Sequence, residues 1–257
     1  MSIYQHFRKE EHAFIDQVTQ WSEQVKKQYS YKLLDFLDPR EQEILHSIIG
    51  TKGEVKCRFW GGFEHAERKR AILFPEYYEP EIEDFELALF TINYPRKFVK
   101  LEHRKILGSL MGLGLKRSKF GDILIGDLDV QFITIQQIAE FVRVNFHQVG
   151  KTNISVEEIP FRSMVIPNEA WQEITITVSS LRLDVILANV HHLSRQRVTP
   201  YIQNKLVKVN WKIIEDNSYI CHKGDTLSLR GYGRCMIKAI EGQTKKEKWR
   251  IVVLKKK

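Results

Sequence analysis

Cysteine is scarce in this chain. Cys57, Cys221 and Cys235 are odd in number and far apart, which excludes a disulfide framework and any zinc site of paired-cysteine spacing. Three reduced, partly buried thiols are expected instead. Long apolar runs are missing too. A membrane span needs roughly 18 uncharged apolar residues, and the best stretch, residues 85–92, is short and broken by Glu86. The N-terminus has no signal-type apolar core, because Lys9 is followed by Glu10, Glu11 and His12. A soluble, cytoplasmic chain with no membrane partner is expected. No glycine-rich strand–turn–helix loop is present for a nucleotide-like cofactor: Gly112-Leu113-Gly114 closes a helical stretch, and Gly231-Tyr232-Gly233 falls among strands. No Ser/His/Asp or Cys/His order points to an activated nucleophile. His191-His192 has no carboxylate or cysteine company and reads as a surface pair rather than a metal site. No catalytic residue, cofactor or metal is therefore expected, and the chain is read as not an enzyme.

What the chain does have is positive charge, unevenly placed. Residues 182–257 hold 17 Lys or Arg against 6 Asp or Glu, a net +11, while the other 181 residues hold 23 basic and 26 acidic, a net −3. A solvated surface does not need that imbalance, whereas a polyanion-binding face does. The length, 257 residues, allows two or three compact units.

Hydrophobic periodicity gives a coarse map. Residues 4–28 read as an amphipathic helix carrying Phe7, Phe14, Val18, Trp21 and Val25. Residues 31–37 and 41–49 read as two more helical pieces separated by Asp38-Pro39, a good helix start, with Gly50 and Gly53 ending the run. Residues 55–60 read as a strand and 64–70 as a charged helix, and 77–84 is an acidic stretch suited to a linker. Strands are expected over 85–93, 122–125, 130–135 and 153–159, with helices over 101–115 and 138–146 and a hairpin turn at Gly126-Asp127-Leu128-Asp129. That βαββαβ order is that of a ferredoxin-like unit, shared by RNA-recognition motifs and by many folds with other partners. Pro160 and Pro167 bracket an irregular connector. A strand over 173–178 follows, then two helices and at least three strands. Lys255-Lys256-Lys257 reads as a frayed end.

From residue 180 the motifs become specific. Arg182-Leu183-Asp184 starts a helix, and Ser194-Arg195-Gln196-Arg197 starts a second. Val207-Lys208-Val209-Asn210 is a strand, and Gly224-Asp225 precedes another. This series resembles the small RNA-binding domain named after ribosomal protein S-four. Ser194 is a good N-cap, and Arg195 and Arg197 would lie in the first helical turn, where free N–H groups and the helix dipole attract phosphate. By analogy with the family, Lys205, Lys208, Lys212, Arg230 and Arg234 extend the basic surface. Trp211 and Tyr232 could stack on unpaired bases or serve as packing residues. Asp184 could pair with Arg182 or cap its helix; the alternative is a catalytic acid. The candidate RNA-binding set is therefore Arg182, Ser194, Arg195, Gln196, Arg197, Lys205, Lys208, Asn210, Trp211, Lys212, Arg230, Tyr232 and Arg234. Two departures stand out: the family pattern has glycine where Lys205 stands, and Pro200 falls inside the second helix, where it should kink or shorten it.

The resemblance extends further. His103-Arg104-Lys105-Ile106-Leu107-Gly108 through Gly114, Gly121-Asp122-Ile123-Leu124, and Gly61-Gly62-Phe63-Glu64-His65-Ala66 through Arg70 are similar to the bacterial YlmH family. That likeness implies an α+β protein in several parts. A mixed, mainly helical domain would span 1–82 and an RNA-recognition-like domain 83–162. A connector with a leading strand would occupy 163–178, and a small S-four domain of the αL fold type 179–257. It also implies ribosomal and transfer RNA as partners on the large ribosomal subunit, a role in rescue of stalled nascent chains (ribosome-associated quality control), and a gene neighbourhood of cell division. In the middle domain Arg96, Lys97, Lys100, His103, Arg104 and Lys105 form one basic cluster, and Lys116, Arg117 and Lys119 another. Arg104, Lys105, Lys116, Arg117 and Lys119 are secondary RNA-binding candidates, against a solvated helix face. Phe90, Phe120 and Phe132 are a poor match to the stacking aromatics of an RNA-recognition motif, so this sheet is expected to pack on its neighbours. The rival readings are an RNA-modifying enzyme of the pseudouridine synthase or rRNA methyltransferase type and a division-linked protein scaffold.

Overall fold

The computed structural model describes residues 3–50, 53–165, 171–244 and 246–256. By compactness the chain divides into Met1–Pro167 and Asn168–Lys257.

The first unit begins with two 3-10 turns and α1 (His12–Gln28), followed by β1 (Lys32–Leu37), α2 (Pro39–Ile49), β2 (Val55–Trp60) and β3 (Lys69–Pro75). The helix expected from residue 4 thus starts only at His12. The start of α2 is as read. Asp38 accepts from the Glu41 N–H at 2.9 Å and the Glu41 carboxylate accepts from the Asp38 N–H at 2.7 Å, a capping box. Two other expectations fail. Residues 32–37 form β1, not a helix, and 64–70 form a turn that enters β3. The strand β3 lies between β1 and β2 in an antiparallel sheet, and Ala71, Ile72, Leu73 and Phe74 are all buried. A strand buried on both faces has no alternation for a sequence to display. Pairing with it makes a strand of Lys-Leu-Leu-Asp-Phe-Leu.

Next come β4 (Leu87–Asn93), α3 (His103–Gly112), β5 (Phe120–Ile125), β6 (Val130–Ile135), α4 (Ala139–Asn145), a small hairpin of β7 (Gln148–Val149) and β8 (Thr152–Asn153), and β9 (Ser155–Ile159). The main strands order as β5-β6-β4-β9, with every neighbour antiparallel. This is the ferredoxin-like arrangement that the element order implied. One face is packed through Phe90 and Phe132 against Ile106, Leu110 and Val142 of the helices. The opposite face is covered as well. Phe36 of β1 is buried with Leu89, Leu124, Ile133 and Ile135, and Phe63, Phe161 and Met164 pack onto that cluster. Gly121 permits the closest approach, since a Cβ there would lie 2.8 Å from the Phe36 ring. Arg70 is 2% exposed. It donates to the carbonyls of Leu34 (2.8 Å), Phe85 (2.7 Å) and Glu86 (3.2 Å). Burial pulls its pKa down to about 10 against the opposing pull of Asp35 and Glu86.

The connector opens with a 3-10 turn at Phe161–Ser163 and is tied to the sheet. The Gln131 amide donates to the Ser163 carbonyl (3.0 Å) and accepts from the Val165 N–H (2.8 Å). Pro167 lies outside the described residues.

The second unit contains β10 (Trp171–Val178), α5 (Leu183–Val190), α6 (Arg195–Gln203), β11 (Val207–Val209), β12 (Lys212–Ile213), β13 (Thr226–Leu229), β14 (Gly233–Gln243) and β15 (Trp249–Lys256). The sheet runs β10-β15-β14-β13-β11-β12, and α5 and α6 pack Leu183, Ile186, Leu187, Val198 and Ile202 into its core. Cys221 and Cys235 sit in that core, and burial pushes both thiols up to about 12. The lysine tail is not frayed at its start: β15 continues to Lys256, and Lys255 Nζ donates to the Val190 carbonyl at 3.3 Å. Lys257 lies outside the described residues. Among the described residues no helix is long and apolar enough to cross a membrane.

Candidate nucleic-acid interface

Ser194 caps α6 as its sequence indicated, its hydroxyl accepting from the Arg197 N–H at 3.2 Å. Gln196 and Arg197 are exposed in the first turn. The helix continues through Pro200 to Gln203, so the proline neither ends nor splits it. Arg195 behaves differently from its neighbour. Its guanidinium donates to Asp184 Oδ2 through Nε (3.1 Å) and Nη2 (2.6 Å), and Arg182 donates to both oxygens of the same carboxylate (3.1 and 3.3 Å). The Asp184 side chain is only 3% exposed. Burial by itself would raise its pKa, but the hydrogen bonds from Arg195 and Arg182 outweigh that and hold it below the ordinary carboxylate value. Asp184 therefore fixes two arginines at the start of the helix pair. The pairing with Arg182 was foreseen; the one with Arg195 was not.

A second basic surface lies beyond the other end of α6, about 13 Å along a nine-residue helix. Strand alternation builds it. Lys208 pairs with Ser228 and Ser228 with Arg234 across β11, β13 and β14, and all three look away from the core positions Val207, Val209, Leu227, Leu229 and Cys235. Arg230, two residues past Ser228, shares that face. With Lys205, Leu206, Trp211 and Thr226 these residues line a groove of about 300 Å³. Trp211 forms one wall, with the Arg234 guanidinium 6.0 Å from its ring centroid. The tryptophan is held in an unusual backbone state. Asn210 and Trp211 make the β11–β12 turn with φ of 48° and 62°, a region that bulky side chains avoid. Asn210 locks the turn: its amide donates to Asp225 Oδ1 (2.8 Å), and its carbonyl oxygen accepts from the Thr226 N–H (2.9 Å). Trp211 Nε1 is buried without a hydrogen-bond partner among the described residues. Lys205, the departure from the glycine pattern, has φ 61°, which explains why glycine suits that place.

Other candidates are placed elsewhere. Lys212 is opposite Val209 and does not line the groove. Half-exposed Tyr232 packs edge-on against Tyr201 (5.7 Å) and lies 5.6 Å from the His191 ring. His191 is not a surface residue: it is 8% exposed, and burial, with help from Lys255 and His192, lowers its pKa to about 4. In the first unit Arg117 is turned inward onto the carbonyls of Phe120 and Gly121, and burial lowers its pKa to about 10. Lys119 pairs with Asp35 at 2.8 Å and Lys105 with Glu102 at 2.7 Å, while Arg104 and Lys116 are exposed. Among the described residues no group of three His, Cys, Asp or Glu is placed to hold a metal ion. Ser228 and Thr226 in the groove, and the Asn210–Asp225 lock, were missed by sequence reading, although both halves of the lock stood in the recognised motifs.

Comparison with known proteins divides the chain in three, with two family segments inside the first unit and one in the second. The family model "YlmH, N-terminal" matches residues 10–78, the model for the RNA-binding domain in YlmH matches 80–163, and the S4 domain matches 181–227. The chain is similar to "Ribosome-associated protein quality control protein P2" of Bacillus subtilis, with 51% identity over 99% of both chains. It is also similar to a solved structure, "Cell division protein ylmH from Streptococcus pneumoniae", at 35% identity and a TM-score of 0.54, covering 64% of this chain and 99% of that one. Identity at this level along nearly the whole length, with family segments in the same order, means that this chain belongs to the YlmH family.

Proposed function

We propose that the chain binds ribosomal RNA, and transfer RNA held beside it, on the large ribosomal subunit, and acts there in the rescue of stalled nascent chains. The observation that carries this reading is the groove of the second unit. Lys205, Lys208, Arg230 and Arg234 surround one strained tryptophan. Lysine and arginine supply phosphate contacts, and an indole wall supplies a surface for a base. The relative's printed name, with its ribosome and quality control, supports the setting. Arg197 and Gln196 at the α6 cap form a second phosphate contact of the same unit, and the Asp184-held arginines shape it.

The test is salt-dependent binding of the full chain to purified large ribosomal subunits. Lys208→Glu with Arg230→Glu should weaken binding by at least about 100-fold, since each lost contact to an ionised group is worth roughly 1.5–3 kcal/mol. The slope of log affinity against log salt should become shallower by about one per phosphate contact removed. Reversing Lys26 and Lys27 on α1 should change little. Unchanged affinity and slope in the groove variant would remove this reading in favour of a protein scaffold.

A further inference from the structure

We infer that the turn at residues 94–100 of the first unit is a second RNA-binding site, in which Phe98 stacks on an unpaired base and Lys97, Lys100 and Arg104 hold the flanking phosphates. The inference begins with an exclusion. A ferredoxin-like sheet that reads RNA does so with aromatic side chains on its open face, and here that face is closed by Phe36, Phe63, Phe161 and Met164. Any contact with a base in this unit has to come from elsewhere.

Phe98 is 87% exposed, more than any other large apolar residue described. Its exposure does not come from a loose loop. The Pro95 carbonyl accepts from the N–H groups of Phe98 (3.0 Å) and Val99 (3.2 Å), closing a tight turn. Tyr94 before the turn and Val99 after it pack on the core. Arg96 pairs with Asp129 of the β5–β6 hairpin at 3.0 Å and lies 6.0 Å from the Tyr94 ring centroid. The backbone is thus pinned on both sides of a phenyl ring that points to solvent. A rigid, outward aromatic loses little entropy when a flat partner covers it.

The charge around the ring selects the partner. Residues 94–105 carry Arg96, Lys97, Lys100, Arg104 and Lys105 against Glu102 alone. Arg96 and Lys105 are neutralised by Asp129 and Glu102, whereas Lys97, Lys100 and Arg104 make no ion pair among the described residues. Two exposed lysines flanking one exposed ring along the chain, with Arg104 exposed in the first turn of the helix that follows, match a single-stranded segment, which offers a base face with a phosphate on either side. A duplex would offer the phosphates without the free base.

The experiment separates this site from the groove of the second unit. The full chain would be titrated with a fluorescein-labelled single-stranded uridine 16-mer and with a fully paired RNA of equal length, over a range of salt. Phe98→Ala should weaken binding to the 16-mer by about 5- to 150-fold, the value of one stacked base, and leave duplex binding nearly unchanged. Phe98→Trp should keep 16-mer binding. Lys97→Glu with Lys100→Glu should flatten the salt slope for both RNAs. The same substitutions are made beside Lys208→Glu with Arg230→Glu, so that loss at either site registers when the other is intact. Equal 16-mer affinity for Phe98→Ala and the wild type, in both backgrounds, would overturn the proposal. So would a Phe98→Ala defect confined to vesicles of anionic phospholipid, because the ring would then be a membrane contact.

Discussion

Arg195 and Lys208 carry the same charge and were read as members of one surface, but their neighbours give them different tasks. Arg195→Glu would place a carboxylate against Asp184, which is 3% exposed and already holds Arg182. A destabilisation of about 1–3 kcal/mol is expected, in the range for losing a bond to a buried charge, and urea unfolding of the single variant would measure it. Lys208→Glu sits on the open face of β11 and should stay within about ±0.5 kcal/mol of the wild type. Equal midpoints for the two variants would contradict the Asp184 pairing. Lys205 presents a related trade. Its φ of 61° strains a non-glycine residue, so Lys205→Gly should raise stability by about 0.5–1 kcal/mol in the same unfolding assay. Affinity for ribosomal subunits should fall as stability rises. A variant that became both more stable and a better binder would show that the lysine has no part in the interface.

Among the elements, the second unit was the most legible. Its motifs carry their own geometry: Ser194 caps, Asn210 turns, and Val207 and Val209 alternate with Lys208. The first unit was legible where turn or cap chemistry marks an element, as at the Asp38-Pro39 start of α2 and the Gly126–Asp129 turn between β5 and β6, and illegible in β1 and β3, which carry no such mark. Strand β3 has no polar face to mark it, and β1 reads as helix until β3 is beside it. The inward turn of Arg117 was hidden for a similar reason, since nothing in Lys-Arg-Ser-Lys distinguishes a side chain that will be desolvated from one that will not. The closed sheet face leads to a test of its own. Phe36 is 1% exposed, and Phe36→Ala should cost about 3–5 kcal/mol by thermal or urea unfolding. A loss under about 1 kcal/mol would mean that the face is open and free to meet RNA.

For the whole molecule, His191 and Asp184 of the second unit should make stability fall on acidification, while Asp122 of the first unit, whose carboxyl burial raises above its ordinary value, pulls the other way. His191 has a folded pKa of about 4 against an ordinary 6.5, so between those values the unfolded chain takes up a proton that the folded chain refuses. Stability should fall as pH drops from 6.5 to 4. Asp184, held below the ordinary carboxylate value, adds stability above that value and loses it as pH falls through its folded pKa. Both effects have the same sign. Urea midpoints of the full chain across this range should decline on acidification, and His191→Leu should flatten the decline above the carboxylate range. A wild-type profile without slope there would contradict the burial of a neutral imidazole. Limited proteolysis should separate fragments near residue 167, where the two compact units divide, rather than within 161–165, which Gln131 ties to the sheet. A first cut inside 161–165 would contradict that tie.

Arg70 and Phe36 bear on how such a chain can be inherited. The arginine belongs to the segment that matches the N-terminal family model, yet it donates to the carbonyls of Phe85 and Glu86, beyond that model's last residue. The phenylalanine likewise closes a sheet formed by residues of the next model. A recombination event at the seam near residue 79 would deliver a guanidinium left with the Leu34 carbonyl alone and a sheet stripped of Phe36 and Phe63 from its cover. Each half would arrive carrying a fault that only its old partner corrects. The two segments should therefore travel through genomes together, and a lineage that loses one is expected to lose or rebuild the other.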